Sequence, residues 1–209
     1  MHVLVAPDSY KGTLSAKTAA RIIERALLAT LAGVTVASVP LGDGGDGTIG
    51  ALGAAMDARW MCTEVTGPLG RPTSAAFALL RDDRALVEMA QASGIMLVPP
   101  KYRNPFHTSS FGTGELLIAA YGHSRDLIMG IGGSATVDGG VGMARALGAH
   151  FWDASGREIV GGPREFRRIV GVDFGDYARR WREGMSLGIM SDVNNPLVGP
   201  RGAAAVFGP

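Results

Sequence analysis

The glycine-rich run from residue 127 to residue 143 constrains the fold of this chain more than any other segment. An apolar stretch at 127–131 is followed by a loop with glycines at 132, 133, 139 and 140, and a second apolar stretch begins at Val141. This order predicts a strand, an anion-holding loop and a helix, because glycines let backbone N–H groups approach an anion and helix N-termini attract negative charge. The run matches neither the Walker pattern nor a clean dinucleotide fingerprint. It therefore indicates phosphate chemistry without naming a cofactor, and an ordinary connection between buried elements is the alternative.

Composition narrows the class of protein. The chain has 209 residues, 46% of them hydrophobic, and its formal net charge is +1. That length can bury the core of one large or two small domains, and the balance of charge predicts neither a nucleic acid nor a membrane as partner. The single cysteine, Cys62, excludes an internal disulfide and is typical of a cytoplasmic protein.

Strand-like and helical periods alternate along the chain. The predicted strands are 2–6, 34–39, 59–66, 73–80, 84–89, 127–131, 169–172 and 186–191. The predicted helices are 15–31, a segment through Ile49, Leu52 and Met56, 111–121 and 141–147. The pattern predicts an α/β fold in two parts, which are a Rossmann-like, doubly wound parallel-sheet portion at residues 1–66 and a second mixed α/β domain at residues 67–209.

Two polar loops follow the first two predicted strands, where open α/β sheets bind their ligands. The first contains Asp8, Ser9 and Lys11, and the lysine can meet a phosphate or a carboxylate. The second places Asp43 and Asp46 in a glycine frame, which suits a metal ion or a general base. Plain turns are the alternative for both loops, with Lys11 in solvent and Asp46 at a helix N-terminus.

Two later loops also carry polar groups. The hydroxyl-rich segment 108–113 leads into a predicted helix, so Ser110, Gly112 and Thr113 are candidates to bind an anion. An ordinary helix cap explains one of the hydroxyls there but not four. Asp192 follows the last predicted strand and is a candidate general base, with a simple turn as the alternative.

Arg71 and the histidines give weaker signals. Arg71 follows a glycine-containing turn and can face a ligand, although a solvated turn arginine is the commoner case. The four histidines and Cys62 show no metal-ligand spacing, so the sequence predicts no zinc site.

Five segments taken together resemble the bacterial glycerate kinases. They occur in the family's order at 6–12 (Ala-Pro-Asp-Ser-Tyr-Lys-Gly), 43–48 (Asp-Gly-Gly-Asp-Gly-Thr), 108–116 (Thr-Ser-Ser-Phe-Gly-Thr-Gly-Glu-Leu), 130–140 (Gly-Ile-Gly-Gly-Ser-Ala-Thr-Val-Asp-Gly-Gly) and 192–197 (Asp-Val-Asn-Asn-Pro-Leu). The resemblance implies ATP-dependent phosphorylation of D-glycerate with Mg²⁺, in this branch usually at the 2-hydroxyl. The choice between 2- and 3-phosphoglycerate as product stays open.

The resemblance and the needs of phosphoryl transfer together suggest a role for each candidate. The phosphates of ATP are expected to lie against Gly132, Gly133 and Ser134, with Ser110, Gly112 and Thr113.

Catalysis and substrate binding are assigned to the remaining candidates. Lys11 neutralises the transferred group or the glycerate carboxylate, and Asp192 accepts the proton of the hydroxyl. The residues expected to contact substrate are Asp8, Ser9 and Arg71, and those expected to hold Mg²⁺ are Asp43 and Asp46. Spacing alone does not decide which of Asp8, Asp43, Asp138 and Asp192 converge.

The chain departs from the family pattern in two ways. Family members commonly carry Ala and Glu where this chain has Gly42 and Asp46. They also continue beyond the motif that closes at Pro209, into a segment that completes the first domain. The resemblance therefore predicts an incomplete first domain whose exposed edge and apolar face favour association, including a homo-oligomer.

Two rival functions are compatible with the sequence. A dinucleotide-dependent oxidoreductase would use the glycines at 130–140 for a pyrophosphate, but no acidic residue about 20 positions later in a clear strand supports it. A truncated, non-catalytic module that binds a small molecule or a nucleotide is the second alternative.

Overall fold

A computed structural model describes residues 1–10, 12–45, 47–175, 179 and 184–208. The strands are β1 His2–Val5, β2 Thr35–Ser38, β3 Arg59–Thr66, β4 Pro72–Leu79, β5 Ala85–Glu88, β6 Asp126–Gly130, β7 His150–Asp153, β8 Ile169–Asp173 and β9 Ser186–Met190. The helices are α1 Ala16–Thr30, α2 Thr48–Ala55, α3 Met89–Ser93, α4 Phe111–Tyr121, α5 Val141–Ala146 and α6 Ala203–Phe207. The architecture is mixed α/β, so the predicted fold class is confirmed.

The first layer is a two-stranded parallel sheet of β1 and β2, connected by α1. The helix begins at Ser15, whose hydroxyl accepts a hydrogen bond of 3.2 Å from the N–H of Thr18 and so satisfies a donor of the first turn. The buried residues of α1 are small, namely Ala16, Ala19 and Ala20. Larger apolar side chains of this layer, such as Leu4 on β1 and Leu28 on α1, are exposed.

The larger sheet has five strands in the order β3-β4-β5-β6-β9. The β3-β4 and β4-β5 pairs are antiparallel, whereas β5-β6 and β6-β9 are parallel. All four residues of β5 are buried, and α4 covers the sheet with Leu116 and Leu117. Each fully buried leucine contributes about 1.5–3 kcal/mol relative to an exposed one. The loops after β6 and β9 extend from strands of this sheet, so the core positions them.

α2 follows the second polar loop and packs on the larger sheet. Ile49 of α2 is buried in a cluster with Ala78 of β4 and Leu86 of β5. The predicted domain boundary at residue 66 stays a prediction, and β3, which that boundary places in the first domain, pairs along its whole length with β4.

A separate antiparallel hairpin of β7 and β8 lies between β6 and β9 in the chain. Asp153 ends β7 and accepts hydrogen bonds from Ser155 and Arg157, which shape the turn that follows the strand. Among the residues that the structure describes, no helix is long and apolar enough to cross a membrane.

Candidate functional site

The loops that follow β2, β6 and β9 meet at the carboxyl ends of their strands. The N–H of Gly132 donates a hydrogen bond of 2.9 Å to the carbonyl of Gly44. The contact requires glycine, because a Cβ on Gly130 would lie 2.6 Å from the carbonyl oxygen of Gly44, and one on Gly44 would lie 2.7 Å from that of Met190. The backbone therefore joins three of the predicted loops into one site.

Asp43 and Asp192 stand on either side of this junction, one residue before Gly44 and two residues after Met190. Both are exposed. One oxygen of Asp43 accepts a hydrogen bond of 2.8 Å from the N–H of Gly45, while the carboxylate of Asp192 makes no hydrogen bond to any residue the structure describes. Both carboxylates are thus accessible to a ligand.

The loop after β1 is tied to the loop after β2 by a hydrogen bond of 2.9 Å from the N–H of Leu41 to the carbonyl of Pro7. Asp8 is exposed and accepts a hydrogen bond of 2.6 Å from the N–H of Ser9, which is the local turn geometry expected if this loop is a plain turn. Two of the predicted site residues, Lys11 and Asp46, lie outside the described residues.

The loop at 132–134 is exposed at Gly133. Gly133 is exposed at φ +70°, a backbone conformation that favours glycine, and its carbonyl accepts a hydrogen bond of 2.9 Å from the N–H of Ile95. Ser134 is half-buried and its hydroxyl donates to the carbonyl of Thr136 over 3.2 Å. The loop is held from beneath and exposes backbone at its tip.

Ser110 and Asp138 bind each other rather than facing solvent. One carboxylate oxygen of Asp138 accepts bonds of 2.8 Å from both the N–H and the hydroxyl of Ser110, and a third of 3.2 Å from the N–H of Gly142. The Ser110 hydroxyl in turn accepts a bond of 2.9 Å from the N–H of Met143. Asp138 is 3% exposed and Ser110 1% exposed, so this pair fastens α4 to the first turn of α5.

Gly112 and Thr113 are also enclosed. A Cβ on Gly112 would overlap the carbonyl oxygen of Thr66 on β3, so glycine is needed for α4 to approach the sheet. The Thr113 hydroxyl donates over 2.8 Å to that of Ser93, and neither residue has exposed surface. Thr113 is fully buried, so a ligand cannot contact it. The predicted contacts of Ser110, Gly112 and Thr113 with a nucleotide are not part of the function proposed for this chain.

Glu88 belongs to the site, although the sequence analysis did not single it out. It ends β5 beside Gly130 of β6, is 1% exposed, and accepts a hydrogen bond of 2.9 Å from the N–H of Thr48. The buried carboxylate therefore anchors the start of α2, directly after the loop that carries Asp43. A charged residue at the end of an otherwise apolar strand is the sequence feature that could have identified Glu88.

Arg71 lies on the hairpin between β3 and β4. It lines a cleft of about 690 Å³ together with residues of the 95–107 segment. That segment consists of three short 3₁₀ turns, Ile95–Leu97, Pro100–Tyr102 and Pro105–His107.

The positions of the side chains that can bind a metal ion limit the kind of metal site this chain can form. Within the described part of the chain, no three His, Cys, Asp or Glu side chains are grouped to form a protein-only cage. Mg²⁺ in phosphotransferases is commonly held by one or two carboxylates together with substrate phosphates and water. The exposed carboxylate of Asp43 fits that pattern and does not fit a dedicated metal cage.

Comparison with known proteins identifies relatives of the chain. The model of the glycerate kinase family matches residues 3–209. Over 211 residues the chain is 46% identical to a glycerate kinase of Bacillus subtilis (strain 168), and the match covers 100% of the chain and 55% of that relative. It is 42% identical over 211 residues to the glycerate 2-kinase of Escherichia coli (strain K12), with the same coverage of 100% and 55%.

A solved structure gives the same result for the fold. The crystal structure of a proposed glycerate kinase 2 from Salmonella typhimurium LT2 superposes with a TM-score of 0.83 at 43% sequence identity, covering 100% of this chain and 56% of the other. The chain thus spans about half the length of the relatives that it matches.

Proposed function

Because the chain belongs to the glycerate kinase family, whose model it matches from residue 3 to residue 209, we propose that it carries the phosphorylation of glycerate by ATP. The observation that carries the proposal is the backbone junction of Gly44, Gly132 and Met190. Phosphoryl transfer needs positioning and charge neutralisation more than covalent help from the protein, and this junction gathers an N–H-rich loop and two exposed carboxylates at one edge of the fold.

The glycine loop is proposed to receive phosphate oxygens. Gly133 is exposed at the tip of the loop with the half-buried Ser134 beside it, and the bond from Ile95 to the Gly133 carbonyl holds that tip in place. Preorganised N–H donors stabilise the charge that spreads over a transferring phosphoryl group. Gly132 contributes by fixing the loop against Gly44, since its own N–H is already bonded there.

Asp192 is proposed to accept the proton of the glycerate hydroxyl. Its carboxylate is exposed and has no hydrogen bond to any described residue, so it is free to approach a substrate. We assign substrate contact to Asp8 and Ser9, since the bond between Leu41 and Pro7 ties their loop to the one that leads into the junction. Lys11 is proposed to neutralise the transferred group or the glycerate carboxylate.

Asp43 and Asp46 are proposed to hold Mg²⁺ jointly with the nucleotide phosphates. A bound Mg²⁺ would neutralise charge on the phosphates during transfer. Glu88 keeps the Asp43 loop in position through the N–H of Thr48. We further propose 2-phosphoglycerate as product and a cytoplasmic location, in line with the motifs and the single cysteine.

A coupled ADP-release assay with D-glycerate, ATP and Mg²⁺ tests the proposal. The purified chain is assayed beside a chimera completed with the part of the Bacillus subtilis relative that the chain does not match. Turnover by the chain would show that the groups it contains suffice, and turnover by the chimera alone would show that the remaining part is needed. ³¹P NMR of the product separates 2- from 3-phosphoglycerate.

The alternative function is a binding module without turnover. The binding module stays an alternative because the chain matches only 55% of the length of these relatives. If neither protein releases ADP in the assay but binding of ATP or glycerate is retained, the result would favour the binding module.

A further inference from the structure

The cleft beside Arg71 is not part of the strand-end junction. Its volume of about 690 Å³ lies in the range of small-molecule and cofactor sites, roughly 300–1,000 Å³. One wall is the β3-β4 hairpin with Arg71, and the other is the 95–107 segment with Lys101, Tyr102 and His107. The cleft is therefore built from two separate segments of the chain.

The charge of the cleft has one sign. Arg71 and Lys101 line it together with the imidazole of His107, and no acidic side chain is among the lining residues. In the described portion of the chain, neither Arg71 nor Lys101 has a carboxylate partner, whereas Arg81, Arg84 and Arg168 do. Two unpaired cations facing one cleft favour a ligand with several negative charges.

The cleft also offers a flat apolar surface. The ring of Tyr102 is 52% exposed, and the ammonium of Lys101 lies 4.8 Å from its centre. Leu69, Leu97 and three prolines supply the remaining apolar lining. An exposed aromatic ring beside cations is suited to a ligand that combines an aromatic base with phosphates.

Hydrogen bonds hold both walls in place without a ligand. The hairpin is closed by a bond of 2.7 Å from the N–H of Gly67 to the carbonyl of Arg71. The opposite wall is fixed by a bond of 2.8 Å from the N–H of Tyr102 to the carbonyl of Pro99. The N–H of Ser109, two residues after that wall, donates a bond of 3.1 Å to the carbonyl of Pro68 in the hairpin. Preformed walls reduce the ordering cost of binding.

We propose that this cleft binds the nucleotide, with the base on the ring of Tyr102 and the phosphates nearest the base against Arg71 and Lys101, so that the terminal phosphate extends to the glycine loop. The inference rests on the proposed function, because it names the binding place of the phosphoryl donor. It also replaces the prediction that Arg71 contacts glycerate, since the cleft is far larger than that substrate needs. Leu97, which lines the cleft, lies in the same 3₁₀ turn as Ile95, whose N–H is bonded to the carbonyl of Gly133, so the cleft adjoins the glycine loop.

Isothermal titration calorimetry of the chain with ATP, tripolyphosphate and D-glycerate tests this inference. Arg71→Met and Lys101→Met each remove one cation from the cleft, and Tyr102→Leu removes the ring. Arg167→Met and Lys17→Met are the matched controls, since both residues are exposed outside the cleft. We expect each cleft cation removed to weaken ATP and tripolyphosphate binding about tenfold, as a hydrogen bond to a charged group contributes on that order. Tyr102→Leu should weaken ATP alone, and the controls should change either affinity less than twofold.

Three results would overturn the inference. They are unchanged affinity for ATP in the cleft variants, weakened binding of D-glycerate in place of ATP, and no binding of ATP or tripolyphosphate by the unaltered chain. The ADP-release assay is scored separately. Turnover together with unchanged ATP affinity in the cleft variants would support the proposed function and refute the cleft as the nucleotide site. Loss of nucleotide binding in the cleft variants, with no turnover by any protein, would support the cleft as the nucleotide site and refute the proposed function.

Discussion

Two sets of polar residues in this molecule have similar chemistry and opposite surroundings. The inner cluster, Ser110, Thr113 and Asp138, has at most 3% exposure and bonds entirely within the protein. The rim carboxylates, Asp8, Asp43 and Asp192, stand at strand ends where each makes at most one local hydrogen bond among the described residues. A hydroxyl or carboxylate near a glycine loop is therefore no guide to function until its partners are known.

The difference has a thermodynamic basis. A buried carboxylate is tolerated only when several donors face it, and Asp138 has donors from Ser110, Gly140 and Gly142. A carboxylate at the rim keeps its hydration and can exchange water for a substrate or a metal ion. We expect substitutions in the inner cluster to change stability and substitutions of the rim carboxylates to change activity.

The largest expected effect is on catalysis, at Asp192. General base catalysis contributes about 10²–10⁴-fold in rate, so Asp192→Asn should lower kcat by that order while leaving substrate affinity nearly unchanged. The assay is D-glycerate-dependent ADP release in whichever protein turns over, the chain or the chimera. Asp173→Asn, a change of another exposed aspartate on β8, serves as control. Full turnover by Asp192→Asn would remove this residue as the base.

The second largest effect is expected from a substitution at Gly112, where α4 approaches β3 closely. Gly112→Ala should lower the free energy of unfolding by about 3 kcal/mol, because the new methyl group meets the backbone of Thr66 and something must shift. The matched control is Gly50→Ala, in the interior of α2, where an added Cβ meets nothing within 4 Å. That control should raise stability by up to about 1 kcal/mol. Equal effects in urea unfolding would contradict the packing role of Gly112.

A smaller effect is expected for the pair of Thr113 and Ser93. Thr113→Val should lower the free energy of unfolding by about 1–2 kcal/mol, since it leaves a buried hydroxyl of Ser93 without its partner. Adding Ser93→Ala should cost less than the sum of the single changes, because both polar groups are then gone. An additive double-mutant cycle would show that the two hydroxyls do not depend on each other.

The smallest effect concerns acid stability at Asp153, another carboxylate surrounded by donors. Hydrogen bonds from the Ser155 hydroxyl and the N–H of Arg157, together with the nearby Arg168, lower the pKa of Asp153 from 3.8 to about 2. Its contribution to stability is therefore present above pH 3.8 and is lost as the pH falls toward 2. Asp153→Asn should flatten the acid limb of a plot of stability against pH, whereas Glu64→Gln, at an exposed position, should not. An unchanged acid limb would show that Asp153 does not contribute.

The sequence was sufficient for most of the elements and for the loops that meet at the junction. Helix α4 has the predicted bounds 111–121, and the strands β3, β4 and β5 begin and end within one residue of their predicted bounds, because helix and strands alike depend on local periodicity. The loops after β2, β6 and β9 were each predicted to be functional, and the structure brings them together.

What the sequence left open depends on contacts between distant residues. Nothing in the local pattern shows that β9 pairs with β6, or that Glu88 reaches the N–H of Thr48 across 40 positions. The same limit explains Ser110 and Thr113, whose hydroxyls resemble ligand-binding groups in the chain but lie under α5 and α3 in the fold. Spacing reports which groups are present, whereas burial decides which of them a ligand can reach.

Urea unfolding of Asp138→Asn beside Asp192→Asn tests most directly the division between the inner cluster and the rim carboxylates. The two substitutions are chemically identical and need no catalytic activity to be compared. Asp138→Asn should lower the free energy of unfolding by about 2–3 kcal/mol, since an amide cannot replace the charged acceptor of several buried donors. Asp192→Asn should stay within about 0.5 kcal/mol of the unaltered chain. Similar losses for both, or a larger loss for Asp192→Asn, would contradict that division.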